Sequence, residues 1–179
     1  MFRNVSALPP GHTACFRAGH FSMQKYWDVD LEDDRVDRQM TLAGGLEELG
    51  SILNDAVRLR LRADVPVAAY LSGGLDSSLL CALAQRQLGG TLQSFSVGFE
   101  QARYDEQAYQ RQVALALETQ HHVVEVSDRS LGALLPSVVW HSEQLLLRSA
   151  PAPFLALSRL VRDHDTKVVL TGEGADEIF

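Results

Sequence analysis

The sequence has little cysteine. Cys15 and Cys81 are its two thiols, and neither belongs to a CxxC pair, so a zinc site or a dithiol redox motif is not indicated. Nothing in their placement points to a disulfide, and a reducing cytoplasm is the default expectation. Basic residues are outnumbered, with 16 Lys+Arg against 23 Asp+Glu and a net charge of −7. A dedicated nucleic-acid binder needs clustered Lys and Arg to meet phosphates, so this balance argues against one. Long apolar runs are missing too. None approaches the ~18 residues of a membrane span, and residues 1–12 lack the basic region and apolar core of a secretory signal. There is no internal repeat and no low-complexity tract. What remains is a globular composition, 46% hydrophobic over 179 residues, which corresponds to one domain and a stub of another at roughly 150 residues per domain.

Residues 1–27 carry few helix signals. Pro9-Pro10-Gly11 reads as a turn, flanked by short strands at 2–8 and 13–16. Residues 28–38 hold six acids and two arginines, the composition of a solvated linker. From Leu46 the pattern changes. Leu46, Leu49, Leu53, Ala56, Val57 and Leu61 recur at helical spacing, with acids near the start and arginines near the end, as the helix dipole prefers. Residues 67–71 (VAAYL) form a continuously apolar strand of the kind buried on both faces of a parallel sheet. A Gly/Ser turn and a helix over 77–88 follow. The alternation continues with a strand over 92–99, a helix capped by Asp105, a strand over 121–126, helices over 131–141 and 153–164, and a strand over 167–170. Four strands alternating with helices predict an α/β fold: an open, mostly parallel sheet with helices on both faces.

The strongest motif is Ser72-Gly73-Gly74-Leu75-Asp76-Ser77-Ser78, placed directly between a strand and a helix. Two glycines let the backbone turn sharply and approach an anion. The helix N-terminus faces that anion with free N–H groups, and the serines add hydroxyl donors. Asp76 would repel phosphate unless a cation intervened, so its presence points to Mg²⁺. The Walker A pattern GxxxxGK[ST] is absent, and no lysine lies near the turn. A second loop, Thr171-Gly172-Glu173-Gly174-Ala175-Asp176-Glu177-Ile178-Phe179, follows the last predicted strand.

SGGLDSS resembles the pyrophosphate-binding loop of the N-type ATP pyrophosphatases, the PP-loop enzymes of adenine nucleotide α-hydrolase-like fold. TGEGADEIF resembles a motif of the glutamine-hydrolysing asparagine synthetases and their relatives. Residues 94–99 (SFSVGF), Tyr104-Asp105-Glu106 and His121-His122 occur in the order found in that family. Residues 2–12 with Tyr26-Trp27 resemble the end of its N-terminal glutaminase domain. The resemblance therefore implies a glutaminase remnant over 1–27, a linker over 28–45 and the first part of a synthetase domain over 46–179. It implies ATP and Mg²⁺ as cofactors, an aspartate-like carboxylate as substrate, and a glutaminase domain or other ammonia source as partner. The parent reaction converts aspartate, ATP and glutamine-derived ammonia into asparagine, AMP and pyrophosphate. A non-catalytic ATP-binding chain and a β-lactam-synthetase-like ligase are the alternatives within the fold.

Topology supplies a reason for the two loops to meet. Doubly wound sheets often run 3-2-1-4, which makes the first and fourth strands neighbours at the point where strand order reverses, and ligands bind beyond the carboxyl ends of strands there. On this resemblance Leu71, Ser72, Gly73, Gly74, Asp76, Ser77 and Ser78 hold ATP, with Val97, Thr171 and Gly172 at adenosine-contacting positions. Asp76 and Asp176 are the expected Mg²⁺ ligands, and Glu173 the expected catalytic acid or base, positioning ammonia or accepting its proton. Arg148 is a further candidate for a phosphate or carboxylate. The plain alternative for Glu173 and Asp176 is a pair of carboxylates at a helix start.

Other features read as structural. His121 and His122 are adjacent on a strand and point to opposite faces, so they do not chelate one ion together. Cys81 reads as a small core residue, and Trp27 and Trp140 as packing residues. The family's glutaminase uses a cysteine directly after the initiator Met, whereas residue 2 here is Phe, and relatives continue past the second motif. The expectation is therefore an incomplete synthetase domain with exposed apolar surface, for which a homo-oligomer is one remedy.

Overall fold

The computed structural model describes residues 3–29, 40–143 and 146–176. The chain divides into two compact units, Met1–Gly45 and Leu46–Phe179. Phe2, most of the acidic stretch predicted as a linker, and Glu177, Ile178 and Phe179 lie outside the described residues.

The first unit holds a hairpin of β1 (His12–Arg17) and β2 (His20–Lys25), paired antiparallel from His12↔Lys25 to Arg17↔His20. Ala18 and Gly19 form its two-residue turn, both at positive φ, which matches the right-handed twist of the strands. The predicted strand over 13–16 is thus part of β1, while β2 is an addition. No strand forms over residues 3–8, where Asn4 sits at φ 63° and breaks the extended run.

The elements that follow are α1 (Leu42–Arg60), β3 (Val67–Tyr70), α2 (Leu75–Gln87), β4 (Gln93–Phe99) and α3 (Gln107–Ala116). Then come β5 (Gln120–Val126), α4 (Asp128–Ser142), α5 (Pro151–Asp163) and β6 (Val168–Leu170). The four strands β3 to β6 form one parallel sheet in the order β5-β4-β3-β6. In chain order that is 3-2-1-4, so β3 and β6 are neighbours, as predicted. Successive strand residues alternate between faces. Val67, Ala69, Leu71 and Leu170 pack with Val57, Cys81, Ala84 and Leu92 on one side. Ala68 and Phe95 pack with Leu157 and Val161 of α5 on the other. Both faces are covered by helices, as a parallel sheet requires. Phe95 is completely buried, and deleting such a ring costs about 3–5 kcal/mol.

Element ends differ from the sequence reading where capping decides. Helix α2 begins at Leu75 because extended Gly74 serves as its N-cap. Helix α4 begins three residues earlier than its apolar spacing implied, at a capping box between Ser127 and Ser130. Glu106 holds the cap position of α3. Asp105 instead accepts from Phe99 N at 3.2 Å and from Gln107 N at 3.4 Å, tying the end of β4 to the start of α3. Among the described residues no helix is long and apolar enough to cross a membrane.

Candidate nucleotide site

The site begins where β3 ends. The last β3–β4 pair is Tyr70↔Phe95, and Leu71 N still donates to Phe95 O at 2.9 Å. Ser96, buried behind it, donates its hydroxyl to Leu71 O. The chain then leaves the sheet through Ser72, Gly73 and Gly74, while β4 runs on to Phe99. Val97 lies two residues beyond Phe95, so its backbone N–H and C=O face the same side, past the end of β3. That overhanging edge, the 72–78 loop and the loop after β6 bound a cavity of about 390 Å³.

The 72–78 loop is held by its own serines. Ser77 Oγ donates to Gly74 O at 3.2 Å and receives Ser72 N at 3.2 Å. A hydroxyl has one proton, so Ser72 Oγ donates to Ser77 Oγ at 2.8 Å and accepts from Gly74 N at 3.2 Å. Ser78 Oγ donates to Gly74 O at 2.6 Å. The hydroxyls thus shape the loop. The donors left for an anion are the first N–H groups of α2, which no side chain caps. Gly73, at φ +90°, is needed for a separate reason. A Cβ there would stand 2.9 Å from Tyr109 Cβ and 3.1 Å from Gln110 N, so the glycine lets α3 press against the loop.

The second loop is equally close. A Cβ on Gly172 would stand 3.1 Å from Ser77 N and 3.3 Å from Asp76 Cβ. The cavity is lined by Leu71, Ser72, Gly74, Asp76, Ser77, Val97, Thr171, Gly172, Glu173 and Asp176, all picked from the sequence. Gly73 and Ser78 shape the loop from behind. Arg148 is exposed and is not part of the lining. Trp27 and Trp140 are exposed rather than packed. Gln110, Glu106, Ser96 and the apolar pair Phe154 and Leu157 were not anticipated. Gln110 was legible in principle, since it shares the inward face of α3 with Val113 and Ala114 at helical spacing.

Among the described residues, four carboxylates line the cavity, Asp76, Glu106, Glu173 and Asp176, and no Lys, Arg or His does. No three Asp, Glu, His or Cys side chains among the described residues converge to hold a metal ion. That combination suits a divalent cation shared between one or two carboxylates and the oxygens of a bound phosphate chain. The decoys behave as read: His121 Nδ1 meets Ser94 Oγ at 3.0 Å on one face, and His122 stacks on Phe95 with centroids 5.0 Å apart on the other. Cys81 is buried, and burial pushes its thiol up to about 12.

Known proteins resemble this chain over nearly all its length. It is 33% identical to the Amidase chyE of Penicillium rubens over 99% of this chain and 29% of that one. It is 30% identical to a glutamine-hydrolysing asparagine synthetase of Bacillus subtilis over 98% of this chain and 27% of that one. The asparagine synthetase of Brassica oleracea is 32% identical over 98% of this chain and 31% of its own. The chain thus spans under a third of the length of these relatives. An NH3-dependent NAD synthetase from Campylobacter jejuni superposes with a TM-score of 0.48 at 16% identity, over 68% of this chain and 54% of that one, from which nothing about function follows. Residues 48–179 match the asparagine synthase family model, and the chain belongs to that family.

Proposed function

We propose that this chain is the ATP-binding part of an asparagine-synthetase-like amidotransferase. The complete enzyme would activate the carboxylate of aspartate as an adenylate, release pyrophosphate, and form the amide with ammonia from glutamine. The carrying observation is the approach of Gly172 to Ser77, which sets the two motif loops side by side at the uncapped start of α2. A glutaminase remnant over 1–27, a linker over 28–45 and a cytoplasmic location belong to the same reading.

The residues divide the work by chemistry. The N-terminus of α2, with Gly74, Ser77 and the serine-braced loop behind it, binds the phosphate chain through fixed N–H dipoles. Leu71, Val97, Thr171 and Gly172 wall the nucleoside, with Gly172 where it joins the phosphate chain beside the Ser77 amide. Asp76 and Asp176 would hold Mg²⁺, which would supply positive charge against the charge that develops on pyrophosphate. Glu173 lines the cavity, and its carboxylate orients ammonia or takes its proton. Supply of donors by backbone and of positive charge by the metal accounts for a phosphate site without lysine.

Two measurements test this. Thermal shift with Mg-ATP reads binding, and no shift at millimolar ATP overturns the proposal. Pyrophosphate release with aspartate and ammonium, in the full-length protein, reads the reaction. Asp76→Ala should abolish it, and unchanged turnover removes Asp76 from the mechanism.

A further inference from the structure

Gln110 is 3% exposed and forms part of the cavity wall. Its Nε2 donates to Val97 O at 3.0 Å. Only the amide nitrogen can face a carbonyl in this way, since the amide oxygen would meet it lone pair to lone pair. The bond therefore fixes which end of the carboxamide is which. The other end, Oε1, is shut off from water and has no hydrogen-bond partner among the described residues. A buried acceptor left unpaired is costly, and native structures seldom keep one without a use. Gln110 is held where it is by α3, which Asp105 ties to the end of β4 and which the absence of a side chain at Gly73 lets come close.

Val97, Gln110 and Glu106 all line the cavity, together with apolar Phe99. Apart from the Gln110 N–H already given to Val97 O, the polar groups these residues bring are acceptors: Val97 O, Gln110 Oε1 and the Glu106 carboxylate. An acceptor-rich wall fits a heteroaromatic base that presents N–H donors on its edge, and repels one that presents a carbonyl oxygen there.

We propose that Gln110 is a specificity-determining residue of the nucleotide site, whose Oε1 accepts a hydrogen bond from the exocyclic amine of the bound base, so that a 6-amino purine is favoured over a 6-oxo purine. This rests on the reading of the cavity as an ATP site. Because Oε1 is enclosed, the proposal requires the carboxamide to turn about its bond to Val97 O when the base binds. Val97 O then does not act alone: the backbone edge supplies a general acceptor, and Gln110 supplies the one that tells an amine from a carbonyl.

The test is equilibrium binding of the Mg complexes of ATP, ITP and purine riboside triphosphate to the whole chain and to Gln110→Met. The last nucleotide deletes the exocyclic amine from the ligand without touching the protein. In the unaltered chain, ATP should bind about tenfold tighter than either analogue, the worth of one buried hydrogen bond. In Gln110→Met that ratio should fall below about threefold, mainly through weaker ATP binding. If the variant does not fold, the ligand deletion alone decides: equal binding of ATP and purine riboside triphosphate to the unaltered chain overturns the proposal. An unchanged ratio in Gln110→Met overturns it as well, and leaves discrimination to the Val97 backbone. If none of the three nucleotides binds, it is the ATP reading of the cavity that fails, and Gln110 has no base to read.

Discussion

The α-carbon of Gly172 faces the Ser77 amide so closely that a single added methyl would stand 3.1 Å from that nitrogen. Two stretches nearly a hundred residues apart in the chain thus share one wall of the cavity. The Ser77 amide belongs to the first turn of α2, where N–H groups have no partner within the helix. Anything that pushes the second loop away from it widens the place where phosphate oxygens would bind. Gly172→Ala is therefore expected to weaken Mg-ATP binding by about tenfold while leaving the unliganded melting temperature nearly unchanged. Titration of the variant beside the unaltered chain checks this, and equal affinities would show that the loop yields without consequence.

Gly73 makes the opposite kind of prediction. Its φ of +90° opposes a side chain, and so does Tyr109, whose Cβ would stand 2.9 Å from an added Cβ. Gly73→Ala should lower folded-state stability by about 1–2 kcal/mol from backbone strain, with a further loss as α3 is displaced. At this chain length that corresponds to a drop of about 2–8 °C in melting temperature. A thermal melt without ligand is sufficient, and an unchanged midpoint would mean the backbone relaxes freely there.

The two thiols should differ in reactivity. Cys15 is exposed, whereas Cys81 is buried with its thiol pushed up to about 12. The thiolate is the reactive form, so a disulfide reagent at neutral pH should titrate one thiol in the native chain and two after denaturation. Rapid reaction of both in the native state would contradict the packing of α2 against β3.

Acid should destabilise the fold through His121 and His122. Burial lowers the affinity of His121 for its proton, and the neighbouring His122 adds to this. Burial and His164 act likewise on His122. Below the ordinary histidine value of 6.5 the unfolded chain then binds more protons than the folded one. Stability is full above that value and declines as pH falls through it. Melting temperatures from pH 8 to 5 should show the decline, and a His121→Asn, His122→Leu double variant should flatten it. An equally steep profile in the variant would place the acid sensitivity elsewhere.

Apolar side chains also lie open on the second unit. Leu147 is fully exposed, and Leu115 and Trp140 are each 79% exposed. Water contact over such groups favours association, so the chain expressed alone should self-associate. Light scattering after size exclusion checks this, and a monodisperse, cooperatively melting monomer would argue that these residues are tolerated singly.

Much of this protein was legible in its residues. The continuous apolar run at VAAYL, the helical spacing from Leu46 and the SGGLDSS turn are local patterns, and backbone sterics and side-chain periodicity act within a few residues. They determined the order of elements and located both loops. Capping was read less well, because the Ser127–Ser130 box and the sharing of Asp105 between Phe99 and Gln107 depend on small polar groups that compete for several partners. The strand order 3-2-1-4 was reachable only as a rule about such sheets, since pairing between distant strands leaves no local mark. Tertiary structure alone decided three things: that Gly172 touches Ser77, that β4 overhangs β3 at Val97, and that Gln110 turns its amide onto that overhang. Each is a contact between segments far apart in sequence, set by how helices seat on the sheet. For such contacts the physical cause is packing, which no window along the chain contains.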